Sequence, residues 1–113
     1  MSLRKLKQYT EMSRVTEFMS LQSEDIQDEY NGIVEKLETE GRLSMPYGEK
    51  LSGENLFAIR VIHAGNVRVF YVYGKGNNIY GLSAYEKKTM DIPHHELVLV
   101  RKIVRVLKQR GFI

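Results

Sequence analysis

Residues 56–89 read LFAIRVIHAGNVRVFYVYGKGNNIYGLSAYEKKT. Apolar residues alternate along this stretch and short Gly/Asn breaks divide it, so it predicts three consecutive antiparallel strands. The first runs Leu56 to His63, with Phe57, Ile59 and Val61 on one face and Ala58, Arg60 and Ile62 on the other. Ala64-Gly65-Asn66 turns the chain, since Gly and Asn accept the positive φ of tight hairpins. Val67 to Tyr73 is the second strand, Gly74-Lys75-Gly76-Asn77 the second turn, and Asn78 to Tyr85 the third strand. Each strand places a charge where a plain core strand would not: Arg60, Arg68, then Lys87-Lys88 at the exit. Register parity decides whether the two arginines meet. A three-residue turn puts Arg60 and Arg68 on one face, and a two-residue turn puts them on opposite faces.

At 113 residues the chain reads as a single domain, 1–113, with enough length for an ordinary core. The absence of cysteine removes disulfides, thiolate metal sites and thiol nucleophiles, which fits a reducing cytoplasm. No apolar run approaches a membrane span, and the basic N-terminus lacks a signal-peptide core. The net charge of +3 is uneven. Residues 11–40 hold nine acids against Arg14 and Lys36, a net of −7, which leaves +10 for the rest. That basic remainder is either a footprint for a polyanion, nucleic acid first, or the charge of a soluble protein that binds none.

Outward from the strands, Leu3 to Tyr9 predicts a short basic edge strand. Ser13 suits the cap of a helix over Arg14 to Leu21, with Val15, Phe18 and Met19 on one face. Ser23 caps a longer helix carrying Ile26, Tyr30, Ile33, Val34 and Leu37 at helical spacing, and Gly41 stops it. Arg42 to Asn55 reads as a connecting loop. In the terminal segment Glu96 to Arg110 the LVLV run suits a strand, but length and Pro93 favour a helix. The expected fold is α+β: two N-terminal helices packed on a small, twisted, mainly antiparallel sheet, with a C-terminal helix.

Several short motifs occur in a set order: Val15-Thr16-Glu17-Phe18, the loop Glu38–Pro46 (ETEGRLSMP), Lys50-Leu51-Ser52-Gly53 before Leu56–Arg60, Arg68-Val69-Phe70-Tyr71, Leu82–Thr89 (LSAYEKKT) and Pro93-His94-His95-Glu96. Together they resemble the RelE/HigB superfamily of type II toxins, in its phage-derived, HigB-like branch. Ala58 stands where that family usually has Glu, and Ser83 where it often has His. The resemblance implies a RelE-like fold and a metal-independent endoribonuclease that cuts mRNA in the ribosomal A site. It also implies a cytoplasmic protein held inactive by an antitoxin protein, as a homodimer or a hetero-oligomer with that antitoxin, with no cofactor and no membrane partner. The departures keep a second reading open, a non-catalytic module that binds RNA, ribosome or protein.

Metal-free RNA cleavage sends the 2′-hydroxyl onto the adjacent phosphorus, and negative charge gathers on the phosphoryl oxygens. Fixed cations aimed at that charge are the main asset, and arginine's planar fork matches phosphate. Arg68 is the candidate clamp on the scissile phosphate, with Arg60 beside it if register allows. Lys88 is a candidate charge stabiliser and Lys87 a docking residue. His94 and His95 are either proton-transfer groups or first-turn residues without a role. Tyr85 is a candidate base-stacking surface, whereas Tyr71 is expected in the core and His63 in a structural role. Lys75 and Arg101 complete the candidate RNA-binding set. No acid–His set has metal-ligand spacing, and Gly74-Lys75-Gly76 joins strands rather than opening a helix as a phosphate loop does.

Overall fold

The computed structural model describes residues 5–51 and 53–113, along which the elements are β1 (Gln8–Glu11), α1 (Ser13–Ser20), α2 (Glu24–Glu40), β2 (Gly48–Lys50), β3 (Phe57–Val61), β4 (Val67–Tyr73), β5 (Asn78–Glu86) and α3 (His94–Gln109). They build an α+β fold of three helices and a five-stranded mixed sheet in the order β1-β5-β4-β3-β2. β1 runs parallel to β5 and the other three pairings are antiparallel. β4 is the middle strand, and its VRVFYVY sequence is buried from Val67 through Val72. Its odd residues Val67, Val69 and Tyr71 join Ile59, Val61 and Ile79 under α1 and α2, which supply Val15, Met19, Ile33 and Leu37. Its even residues Phe70 and Val72 join Ala58 and Leu82 under α3, which supplies Val100 and Leu107.

Several boundaries differ from the sequence reading, each for a local reason. Of the expected strand Leu3–Tyr9, Leu3 and Arg4 lie outside the described residues. The strand itself is shifted to Gln8–Glu11, because the amides of Leu6 and Lys7 both donate to the Glu38 carbonyl at the end of α2. Ser13 is the first residue of α1 rather than its cap; Met12 takes that place without a side-chain bond. Ser23 does cap α2, accepting from the Ile26 amide, and Gly41 ends it at φ 79°. The expected loop 42–55 contains β2, a three-residue edge strand on β3. The terminal segment is helical, starting at His94 rather than Glu96.

The β3–β4 turn is longer than Ala64-Gly65-Asn66. The ladder ends at Val61↔Val67, so five residues, 62–66, make the turn. Its amides are taken by α2: the Glu29 carboxylate accepts from Ile62 at 2.8 Å, from His63 at 3.1 Å and from Ala64 at 2.6 Å. Gly65 lets the turn sit down on the helix, since a Cβ there would meet Ile26 Cδ1 at 2.7 Å. Asn66 then ties the turn to the end of β5, its carbonyl accepting from the Lys87 amide and its side chain donating to the Lys87 carbonyl.

Glu29 is partly buried, which disfavours its charge, but the three backbone bonds outweigh this and hold its pKa below the ordinary carboxylate value. A depressed folded pKa means stability that is present above the unfolded carboxylate pKa and lost as pH falls through the folded one. Glu29→Gln is therefore expected to cost about 1–2 kcal/mol at neutral pH. Thermal unfolding across pH should show the gap between the two proteins closing as Glu29 is protonated in the wild type.

Candidate nucleic-acid interface

Arg60 and Arg68 are direct cross-strand partners. The five-residue turn has the same parity as the three-residue one, so both side chains share the α3 face. Like charges directly opposite in a ladder are unfavourable, and here burial adds to the cost. Arg68 is 4% exposed in the middle strand. Its Nη1 donates to the Val67 carbonyl at 3.1 Å, but its Nε is buried with no partner. Arg60 Nη1 donates to the Pro46 carbonyl at 2.9 Å, and its Nε is likewise buried and unpartnered. Neither guanidinium has a carboxylate within 4 Å among the described residues. Burial lowers the Arg68 pKa, Arg60 lowers it further, and Glu49 and Tyr85 oppose both. A buried Arg68 and a half-buried Arg60 that lack anions form a seat for one.

A bulge in β5 brings Tyr85 to this seat. Phe70 pairs with Ser83 but Tyr71 pairs with Gly81, so Leu82 is skipped in the ladder. Past that point the side chains of β5 change faces. Without the extra residue Ala84 would oppose Arg68; with it, Tyr85 does. Tyr85 is not an open stacking platform as expected. It is 6% exposed, its ring stacks on Phe70 at 5.7 Å, and burial raises its pKa, so the hydroxyl keeps its proton.

α3 closes the face from above. Its far end is tied to the β4–β5 turn, where the Lys75 amide donates to the Phe112 carbonyl, so its first turn lies over the opposite, arginine end. His94 and His95 point outward, His95 with its side chain 81% exposed. Glu96 is turned in. It stands one turn before the fully buried Val100, and its Oε2 is buried without a partner, while Oε1 lies 3.5 Å from His95 Nε2. Glu49 of β2 pairs with Ala58 and so shares the face. Among the described residues the buried, unpartnered side-chain polar atoms are Arg60 Nε, Arg68 Nε and Glu96 Oε2. All three sit at one end of one face.

Of the other expected residues, Lys87 is half-buried and Lys88 exposed at this same end, held by the Asn66 bonds. Lys75 lies seven residues along from Arg68, past the far end of β4 and on the order of 20 Å away at strand rise. It is not part of the site. Arg101 is exposed but engaged, its Nε and Nη2 donating to the two Glu54 oxygens at 2.8 and 3.1 Å. Tyr71 is in the opposite core as expected. Glu49 and Glu96 were missed. Glu96 could have been found from its place four residues before Val100 on the buried stripe of α3; nothing in a three-residue strand marks Glu49.

A family model for phage-derived Gp49-like proteins (DUF891) matches residues 17–105. The chain belongs to this family. The Gp49-like match runs from α1 into α3 and includes Arg60, Arg68, Tyr85 and Glu96, so the whole charged face lies within it. Gp49-like proteins are RelE/HigB-like in general. No curated protein matches the chain.

A seat of this kind costs the free protein stability. Replacing Arg68 by the apolar methionine should leave unfolding temperature unchanged or raised, since an uncompensated buried charge is removed. The wild type should gain stability with added phosphate, by about 2.7 kcal/mol at a hundred times its dissociation constant. Arg68→Met should lose most of that gain in the same thermal scans.

Proposed function

We propose that this Gp49-like protein is the toxin of a toxin–antitoxin pair, of the HigB-like branch, and cleaves mRNA on the ribosome without a metal ion. The observation that carries this reading is the opposed pair of a half-buried Arg60 and a buried Arg68, on one face, each with a buried, unpartnered Nε. Such a pair is shaped for a group that carries several oxygens and gains negative charge during reaction. In 2′-hydroxyl attack the phosphoryl oxygens do so, and donors fixed in a low-dielectric site stabilise that charge without reorganising. Arg68 binds the non-bridging oxygens, Arg60 shares them, and Lys87 and Lys88 at the same end hold the flanking backbone. The ribosome presents the message in one conformation, which supplies the alignment that a shallow face lacks.

A second reading draws on the flank of α3. A groove of about 420 Å³ is floored by Met12, Tyr80, Ile103, Leu107 and Phe112 and edged by Lys102 and Arg110. Its apolar floor and basic rim suit an acidic amphipathic helix, the kind of segment an antitoxin would supply. In a non-catalytic relative this surface would be the whole function.

The test is inducible expression without a partner, with 5′ ends of cellular mRNA mapped for wild type and Arg68→Met. New cuts in translated regions are expected for the wild type, reduced about 10²–10³-fold by the substitution, the scale for losing one preorganised donor. A folded wild type that leaves transcripts intact sinks the nuclease reading and favours the binding module.

A further inference from the structure

We propose that Glu96 is the general base that takes the proton from the attacking 2′-hydroxyl. The inference rests on the nuclease reading above and names the proton acceptor that reading lacks. His94 and His95, the expected groups, are both exposed. Glu96 is the acid of α3's first turn that the fold turns inward, one helical turn from Val100 and over the end of the sheet that holds Arg68 and Tyr85. Its Oε2 is the one unpartnered buried side-chain acceptor among the described residues, whose unpartnered buried side-chain donors are Arg60 Nε and Arg68 Nε. A ribose hydroxyl placed with its phosphate on Arg60 and Arg68 would donate to this oxygen.

The titratable groups on the sheet face that α3 covers are Arg60 of β3, Arg68 of β4, Tyr85 of β5 and Glu49 of β2; of these Tyr85 feels the Glu96 charge, and His95 lies beside Glu96 on its own helix. Burial keeps the Tyr85 hydroxyl protonated, so it is not the proton acceptor. The step balances without a cofactor. Glu96 Oε2 takes the hydroxyl proton as the O2′–P bond forms. The P–O5′ bond breaks, and the leaving 5′-oxygen takes a proton from water. Glu96 then returns its proton to solvent through His95, whose Nε2 lies 3.5 Å from Oε1. The products are a 2′,3′-cyclic phosphate and a 5′-hydroxyl.

A first-turn glutamate also favours the helix dipole, so the test must separate that role from proton transfer. Ribosomes carrying a message would be mixed with excess wild type, Glu96→Gln or Glu96→Asp, and single-turnover cleavage followed between pH 6 and 8. Thermal unfolding of each protein would be recorded alongside. Glu96→Gln is expected to bind ribosomes as the wild type does and to cut about 10²–10⁴-fold more slowly, the usual contribution of a positioned base. Its rate should climb about tenfold per pH unit as hydroxide replaces the lost base, while the wild-type rate stays level. Glu96→Asp should recover part of the rate and the level profile. A Glu96→Gln protein that loses melting temperature but keeps the wild-type rate and pH profile overturns the assignment and leaves the nuclease reading intact. A wild type that does not cut at all overturns both.

Discussion

The grip of the Glu29 carboxylate on the amides of Ile62, His63 and Ala64 governs where the β3–β4 ladder stops. Those amides would otherwise extend the hairpin. Bound by α2 instead, they end it at Val61↔Val67 and leave a five-residue turn. The odd number of turn residues fixes the parity, and parity is what sets Arg60 opposite Arg68 instead of on the far side of the sheet. The same turn carries Asn66, which holds Lys87. One carboxylate on the helical face thus organises the cations on the other face, with the sheet between them.

The two faces differ in how they handle buried polarity. Under α1 and α2, no buried side-chain polar atom of the described residues is without a partner. Glu38 accepts from the Tyr9 amide at 3.0 Å and pairs with Lys5 at 3.2 Å, and the Tyr30 hydroxyl bonds Tyr9 at 2.8 Å and Glu11 at 2.7 Å. Gly81 leaves room for the Tyr9 hydroxyl, which a Cβ there would displace. Under α3 the buried charges are left open. Satisfied polar cores hold a fold together, and unsatisfied ones oppose it unless something else completes them. The contrast separates a scaffold face from a ligand face on energetic grounds alone.

Most of the scaffold was legible in the sequence because its signals are local. The alternation in 56–85, the Ser23 cap, the Gly41 stop and the helical stripe of Val100 and Leu107 each report a periodicity or a cap that the structure repeats. Arg68 was legible as a misplaced charge in an apolar strand. What was hidden depends on partners far along the chain. The five-residue turn is set by Glu29, 33 residues before Ile62. β2 has three residues and is defined only by pairing with β3. Tyr85 was a candidate base-stacking surface, and the bulge that buries it leaves no mark in the sequence; Arg101 was taken as available because Glu54 lies 47 positions away.

The skipped Leu82 gives β5 a change of phase. Tyr80 and Tyr85 are five residues apart, an odd spacing, yet both pack on the α3 side. The strand is therefore two half-strands with opposite rules for which letters face inward, joined at one residue. Upstream of the joint it serves the parallel pairing with β1; downstream it serves the arginine face. A sequence change that lengthens this strand by a single position between Leu82 and Ala84, with the bulge kept, would leave every residue's chemistry intact and still exchange Tyr85 for Ala84 beside Arg68. The identity of the charged face is thus stored as a length, in addition to being stored as side chains.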